Sequence, residues 1–543
     1  MRTTLGRYLH WLYSHSRGVR TSVTMNIVLG LVSQVFNFAF IYYCKLAIDT
    51  ASHAREGDLG MLALVLVGIG VVRISIQAVN GRLQSLAAAR LNYVVRRLVY
   101  GHILHSTWMG KDRHSGDTLN RLESDVTTVV DVVTSDVPEF VVTSVQFVGA
   151  LVFLCVLDWR FALALVIFTP GMVMLSRVFF RRMRVMTRGI RDTESAVQAH
   201  LQESLQHRTV IQSLERVGMM TDRLDELQAV EYGQVKDRTR FNIFTRTIVT
   251  AMMTFGYTGA FLWGAYGIWK GVATFGTMTA FLQLVGQLQR PTLSLTKQVP
   301  AFVNAMTSID RLMELEQAPK EEEGEPVVLP SPVGVRLVDV SFTYPDGDRE
   351  VLSEVSHDFE PGSRTAILGP TGVGKSTLIR LMLALLRPSE GRVEVYSPGS
   401  GPVAVSPRTR ANMVYVPQGN TLLSGSVRQN LLLGDPLATE ERLREVIGVA
   451  CAEFVYDLPE GLDTVIGERA TGLSEGQAQR IAIARGLLRP GSVLLLDELS
   501  SSLDPATEER LVGNLVKATS GKTLIFITHR TRIADFCEKT FTL

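Results

Sequence analysis

Six stretches of this 543-residue chain are long and apolar enough to cross a bilayer, and no other feature narrows its fold as much. In hydrocarbon every backbone N–H and C=O must find a partner within protein, which restricts the chain to a few regular forms. One helical crossing takes about 20 residues. The stretches are 21–46, 60–82, 138–157, 160–180, 246–269 and 274–298, and their lengths predict transmembrane helices. All lie in the first 300 residues. Mean hydropathy is +0.17 although 20% of the residues are charged, which predicts a membrane part joined to a soluble part.

The connections between these stretches alternate in length. Residues 83–135 and 181–243 are polar, helix-favouring and poor in glycine and proline, so they read as helices running on beyond the membrane. The links at Asp158-Trp159-Arg160 and Trp269-Lys270-Gly271 are very short. Arg177, Arg181, Arg182, Arg184, Arg188 and Arg191 follow the fourth stretch, and Arg17 and Arg20 precede the first. The excess of basic residues places these flanks on the cytoplasmic side. The acid-leaning loop from Asp49 to Asp58 falls on the other side, and both termini are cytoplasmic.

Polar residues interrupt the spans: Asn26, Ser33, Gln34, Asn37, Arg73, Gln77, Asn80, Gln283, Gln287 and Gln289. An arginine within a span is costly and usually faces a bundle interior or an aqueous cavity. Arg73 therefore reads equally as part of a polar path or as an interhelical hydrogen-bond donor. For each Asn or Gln the interhelical reading is favoured. Pro170 and Pro291 are expected to loosen their helices. Tyr42, Tyr43, Trp263 and Tyr266 fit a mixed polar and aromatic path or an interfacial belt.

Net charge is +2, so no strong field draws the chain to nucleic acid. Cys44, Cys155, Cys451 and Cys537 are scattered without metal-like spacing, and read as small buried hydrophobes. The first residues lack the compact apolar core and small-residue cleavage site of a signal peptide.

Beyond the spans, residues 316–332 hold a charged, proline-bracketed run around Glu321-Glu322-Glu323, which reads as a solvated linker between a domain at 1–315 and one at 333–543. From Val333 onward short apolar strands alternate with helical patterns, the mark of an α/β domain. It contains Gly369-Pro370-Thr371-Gly372-Val373-Gly374-Lys375-Ser376-Thr377, a G-x-x-x-x-G-K-[ST] loop. The strand-like Arg364 to Leu368 precedes it and the helix-like Leu378 to Met382 follows, which is the context that makes the motif credible. Its backbone N–H groups would cradle phosphates, Lys375 would reach the β- and γ-phosphates, and the Ser376 hydroxyl would ligate Mg²⁺. The strand Val493-Leu494-Leu495-Leu496 delivers Asp497 to the Mg²⁺ shell. Glu498, directly after it, is placed to act as a general base on the attacking water rather than as a turn carboxylate.

Four more elements complete the pattern: Tyr415-Val416-Pro417-Gln418, Leu473-Ser474-Glu475-Gly476-Gln477, Ser502-Leu503-Asp504 and Ile527-Thr528-His529-Arg530. Their order and spacing resemble the ATP-binding cassette ATPases. With six spans ahead, nearly the whole chain is similar to an ABC exporter half-transporter. The resemblance implies a helical membrane domain with long cytoplasmic extensions, fused to an α/β cassette, in the cytoplasmic (inner) membrane. Gln418 is similar to the glutamine that senses Mg²⁺ and the γ-phosphate. His529 is similar to the switch histidine that holds the γ-phosphate, the water and Glu498. Tyr344 is similar to the aromatic that stacks on adenine, with core packing as the competing reading. In this family Ser474, Gly476 and Gln477 would cap ATP held by a second cassette, and Asp504 would help couple the two sites. One cassette is encoded here, so a second half-transporter chain is the implied partner, as a homodimer. Coupling helices are expected near Asp112 to Asn120 and Glu203 to Ser213, resting in grooves on the cassettes around Gln418.

The chain departs from the family pattern in places. Glu475 stands where the first glycine of the signature pair is usual, and is expected to point away from the triphosphate. Leu543 follows soon after His529, where family cassettes continue. Nothing ahead of the first span resembles a peptidase, so leader-peptide cleavage is not expected. The function implied is ATP-driven export or lipid flipping, in which ATP binding closes the cassettes and hydrolysis resets them. The alternative is a weakly hydrolysing partner in a heterodimer. Drugs, lipids and peptides all remain open as cargo.

Overall fold

The computed structural model describes residues 2–107, 115–345, 347, 349–370, 372–467, 472–499, 503–529 and 531–543. The chain divides into two compact units, Met1–Gly101 with Gly116–Glu316, and His102–Ser115 with Gln317–Leu543.

The first unit is helical: α1 (Arg2–His15), α2 (Arg20–Ala51), α3 (Leu59–His105), α4 (Thr118–Leu157), α5 (Trp159–Gln206), α6 (Arg208–Ser213), α7 (Val217–Trp269) and α8 (Phe275–Glu316). Five of the apolar stretches fall within α2, α3, α4, α5 and α7, and the sixth, 274–298, lies in α8 from its second residue on. By length and composition alone, among the described residues, α2, α3, α4 and α7 qualify as membrane-crossing. Helices α3, α5 and α7 have 47, 48 and 53 residues. At 1.5 Å per residue that is about 70–80 Å, more than twice the hydrocarbon thickness. They therefore combine a span with a long polar extension.

The short links have local causes. Asp158 is extended and caps α5, its Oδ1 accepting from Arg160 N–H at 2.9 Å and Phe161 N–H at 3.3 Å. Its other oxygen accepts from Trp263 Nε1 at 2.8 Å, tying α7 to the same turn. Between α2 and α8 the backbones meet closely at Gly276, whose N–H donates to the buried Asp49 carboxylate at 3.0 Å. A Cβ at Gly276 would collide with that carboxylate and with the Lys45 carbonyl. The apolar core of the unit gathers Ile41 of α2, Leu154 of α4, Phe161 of α5, Ala260 of α7 and Leu284 of α8. Helix α1 is fastened to the end of α8: Arg7 and Tyr8 both reach Asp310 at 2.7 Å, and Trp11 Nε1 donates to Glu316 at 2.7 Å.

The polar extensions are less continuous than their composition implies. Helix α3 stops at His105, where Thr107 N–H donates to the Pro319 carbonyl and Glu321 N–H to the His105 carbonyl, each at 2.8 Å. On the other extension the helix breaks at His207 and again at Leu214 to Arg216, with Glu215 in the left-handed region at φ 54°. Neither break carries a glycine or proline to announce it. Between them α6 is a separate six-residue helix with no buried residue, on the segment expected to couple. The companion segment is α-helical from Ser115 to Asn120 and continues without a break into the rest of α4, and its start at Asp112 lies outside the described residues. Pro291 and Pro300 lie inside α8 without ending it.

The second unit is α/β. Its strands are β1 (Gly334–Thr343), β2 (Glu350–Phe359), β3 (Arg364–Leu368), β4 (Glu390–Ser397), β5 (Ser400–Ala404), β6 (Met413–Val416), β7 (Gly425–Ser426), β8 (Val465–Ile466), β9 (Val493–Asp497), β10 (Thr523–Ile527) and β11 (Lys539–Thr542). Its helices are α9 (Lys375–Met382), α10 (Val427–Leu432), α11 (Glu440–Val449), α12 (Glu475–Leu488), α13 (Pro505–Ala518) and α14 (Thr531–Ala534). An antiparallel sheet runs β2-β1-β4-β5, and a parallel sheet runs β11-β3-β10-β9-β6. Every residue of β9 and β10 is buried, which explains why those segments read as unbroken apolar runs rather than alternating ones. The segment leading in is held, not loose: Arg410 grips Glu321 with two hydrogen bonds of 2.9 and 3.0 Å while its Nε donates to the Leu383 carbonyl.

Candidate functional site

The parallel sheet sets the site. In register, Ile527 of β10 lies beside Asp497 of β9 and Ile367 of β3, and Val416 of β6 lies beside Leu496 of β9. Four adjacent strands therefore end level. The chain leaving each one supplies a predicted residue: Gly369 after β3, Gln418 after β6, Glu498 after β9 and His529 after β10. A crevice beyond the carboxyl ends of parallel strands is where open α/β sheets bind ligands.

After β3 the loop holds Gly369, Gly372 and Gly374 at φ 149°, 85° and 115°. A Cβ at Gly374 would lie 2.8 Å from the Leu352 side chain and 3.1 Å from the Val351 carbonyl oxygen, so both conformation and space require glycine there. Pro370 and Val373 close the turn by a 3.4 Å backbone hydrogen bond, and Thr371 lies outside the described residues. Lys375 opens α9 and is buried. Its Nζ donates to the carbonyls of Gly369 at 2.6 Å and Pro370 at 3.4 Å, and stands 2.9 Å from His529 Nε2. Burial lowers its pKa, against the pull of Glu498 and Asp497. Ser376 beside it is exposed. Thr377 is buried and shares a 3.0 Å hydrogen bond with the Tyr344 hydroxyl, which also accepts from Arg380 at 3.4 Å. The Tyr344 ring meets Phe342 edge to face, with centroids 4.9 Å apart.

Glu498 has a left-handed backbone, φ 46°, unusual for a residue with a side chain. Two hydrogen bonds hold it there: its N–H donates to the Ile527 carbonyl, and its carbonyl accepts from Gln479 Nε2, each at 3.0 Å. Its carboxylate is gripped from both sides. Oε2 accepts from Gln418 Nε2 at 2.5 Å and Oε1 lies 3.1 Å from His529 Nε2. Gln418, Glu498, His529 and Lys375 thus form one continuous polar chain. A neutral imidazole can use Nε2 to accept from Lys375 or to donate to Glu498, not both.

Asp497 is buried at the end of β9. Burial and the Glu498 charge push its carboxyl above the ordinary range, against a 3.3 Å hydrogen bond from the Tyr415 hydroxyl. Tyr415 is itself pushed up by burial and by Asp497.

The signature residues form a cap. Ser474 is the N-cap of α12, its Oγ accepting from Gln477 N–H at 3.2 Å while Gln477 Oε1 accepts from Ser474 N–H at 2.9 Å. Since Oγ accepts within the cap, its O–H hydrogen is directed elsewhere. Glu475 is exposed at the first helical position, and Gly476 is buried at the second. Asp504 caps α13 in the same way, accepting from Thr507 N–H at 3.0 Å, and that hydrogen bonding lowers its pKa. Among the described residues, no hydrogen bond joins Ser474, Gln477 or Asp504 to the Lys375–His529–Glu498 chain.

Three side chains do more at the site than the sequence marks: Tyr415, there part of a motif, bonds Asp497; Thr377, there the end of the phosphate loop, bonds Tyr344; and Gln479, unmarked, bonds the Glu498 carbonyl. Gln479 is fully buried and sits on the signature helix, yet it shows no pattern that distinguishes it from a core position.

Comparison with known proteins agrees with this geometry. The ABC transporter transmembrane region model matches residues 23–292, and the ABC transporter model matches residues 352–501. A serine protease/ABC transporter B family protein of Dictyostelium discoideum, tagA, is 28% identical over 478 residues, 86% of this chain; the match spans 27% of that relative's length. A multidrug resistance ABC transporter ATP-binding and permease protein of Lactococcus lactis is 25% identical over 513 residues, 93% of this chain and 86% of that protein. The solved structure of a bacterial Atm1-family ABC exporter with ATP bound shares the fold, with a TM-score of 0.79 at 22% identity, covering 97% of this chain and 94% of that one. The chain belongs to the ABC transporter family as an exporter-type half-transporter, a multi-pass membrane protein that binds ATP and couples its hydrolysis to export.

Proposed function

We propose that the protein works as a homodimer in the cytoplasmic membrane, and that each catalytic site is shared between two chains. Within one chain Gly369 to Thr377 wraps the phosphates, Lys375 leaves its own loop carbonyls to meet the β- and γ-phosphates, and Tyr344 offers a ring face to adenine. Ser474, Gly476 and Gln477 serve the nucleotide held by the other chain, with Asp504 coupling the two sites.

The residues fit a Mg²⁺ ion. Asp497, the Ser376 hydroxyl and the Gln418 amide are hard oxygen donors, and a buried carboxylate next to a second carboxylate is an electrostatic strain that a cation relieves. When bound, the ion would neutralise charge on the phosphates. Glu498 takes the proton of the attacking water, and His529 holds Glu498 and the γ-phosphate in line.

The observation that supports full hydrolytic competence is the polar chain Gln418–Glu498–His529–Lys375, assembled entirely within one chain. The test is phosphate release from purified protein in liposomes. Activity that Glu498→Gln abolishes while nucleotide binding persists supports the reading; activity unchanged by that substitution overturns it. We place the cargo among small molecules, in line with the name of the Lactococcus relative, a multidrug resistance transporter, and with the mixed polar and aromatic residues of the spans.

A further inference from the structure

The transmembrane unit holds a cavity of about 760 Å³ lined by α2, α3, α7 and α8, with Asn37, Phe40, Arg73, Tyr257, Gln283 and Gln287 on its wall. Arg73 lies about 21 Å along α3 from Leu59 at 1.5 Å per residue, roughly two-thirds of the way across a hydrocarbon layer about 30 Å thick. A cation at that depth is expensive unless something answers its charge. No residue lining the cavity is acidic, and among the described residues no carboxylate pairs with Arg73. Its guanidinium stands 5.7 Å from the Phe40 ring centroid, a contact that restrains the group without neutralising it.

The other polar groups of the wall, among them Asn37, Tyr257, Gln283 and Gln287, are neutral and leave Arg73 as its charged residue. Gln146 donates to the Gln287 carbonyl oxygen, and the Gln287 NH₂ remains a donor. Thr254, on the same wall, also lines a second hollow of about 510 Å³ along α7, with Arg246, Thr247 and Thr250. Arg246 is about 12 Å from Thr254 along the helix, toward the long polar extension. Two arginines and a threonine face thus connect the extension side with the membrane interior.

We propose that this cavity binds an anionic amphiphile: an apolar body bearing a carboxylate, sulfonate or phosphate, with Arg73 as the anchor of its charge and Arg246 as the first contact on entry. The inference rests on the export function proposed above and names its cargo class. The anion supplies the charge that Arg73 lacks. Phe40, Met253 and Leu282 take the apolar body, and the guanidinium fork suits an oxyanion.

The test reads binding without ATP, so it is independent of hydrolysis; failure of the transport reading would show in phosphate release instead. Wild-type protein in phosphatidylcholine nanodiscs is titrated with three probes that share one hydrophobe: pyrenebutyrate, pyrenebutanol and pyrenebutyltrimethylammonium. Pyrenebutyrate should bind about tenfold more tightly than the other two, as expected for a charge-assisted contact away from water. Arg73→Gln should erase that ranking, and Arg73→Lys should keep most of it. Equal or cation-preferring binding by the wild type overturns the proposal, and so does a preference that survives Arg73→Gln and Arg73→Gln/Arg246→Gln. If Arg73→Gln does not fold, the wild-type ranking and Arg73→Lys still decide. Replacing phosphatidylcholine with phosphatidylglycerol separates two sources of the ligand: displacement of the probe assigns the site to an acidic lipid headgroup, and no displacement to a dissolved organic anion. Both results uphold an anion site.

Discussion

Gln418 Nε2 donates to Glu498 Oε2 across 2.5 Å, linking the chain that leaves β6 to the chain that leaves β9. The same carboxylate meets His529 through its other oxygen. The proposed general base is therefore oriented by two side chains from two neighbouring strands. Gln418→Glu would set a second carboxylate at that distance, and two such groups cannot both ionise freely. The acid limb of the pH profile for kcat should rise by about one unit or more in this variant. An unshifted limb would show that the contact does not orient the base.

Ser474 separates structural from catalytic roles. Ser474→Ala removes a helix cap and should cost about 1 kcal/mol in thermal or denaturant unfolding. Ser474→Asp keeps a capping oxygen but brings a negative charge toward the partner's γ-phosphate. It should fold as stably as wild type and lose phosphate release. If Ser474→Asp hydrolyses normally, Ser474 is a cap and nothing more.

Glu475 tests the departure from the family pattern. It is exposed on the first turn of α12, next to Ser474. Glu475→Gln removes a charge that repels the partner's triphosphate, so KM for ATP should fall, by about two- to fivefold at low ionic strength, with the difference closing as salt shortens the Debye length. Titrations of the ATPase at two salt concentrations measure it.

His15 supplies a pH-dependent clasp between α1 and α8. Burial lowers its pKa, but the Glu316 hydrogen bond at 3.0 Å, the Trp11 carbonyl and the Glu316 charge outweigh burial and raise it above 6.5. A raised folded-state pKa stabilises below the unfolded value, and the contribution is lost as pH climbs through the folded value. Amide exchange along α1 should therefore accelerate as pH rises from 6 toward 8, after correction for intrinsic rates. His15→Gln should flatten that dependence.

The fold was legible wherever one segment carried its own signal. The loop from Gly369 to Thr377 combines a motif with a strand before and a helix after, and β9 and β10 are apolar on both faces. The long apolar helices were legible because bilayer thickness sets their length, and α2, α3, α4 and α7 qualify as crossings among the described residues. What the sequence hid depends on partners distant in the chain. Glu321 looks like a solvated linker residue until Arg410 is placed beside it, and the stop at His105 follows from pairing with Pro319 and Glu321. The turn at Glu215 has no glycine to mark it. Gln479 supports Glu498 through a backbone carbonyl, a contact that no residue pattern encodes.

The central claim is that each site joins Lys375 of one chain to Ser474 of the other, and complementation between differently tagged chains tests it most directly. Lys375→Ala chains paired with Ser474→Asp chains place both lesions in one composite site and leave the second intact, so the purified mixed dimer should hydrolyse ATP. A chain carrying both substitutions, paired with wild type, damages both sites and should be inactive. The reverse outcome, activity in the second pairing and none in the first, would show that each chain completes its own site and would contradict the account.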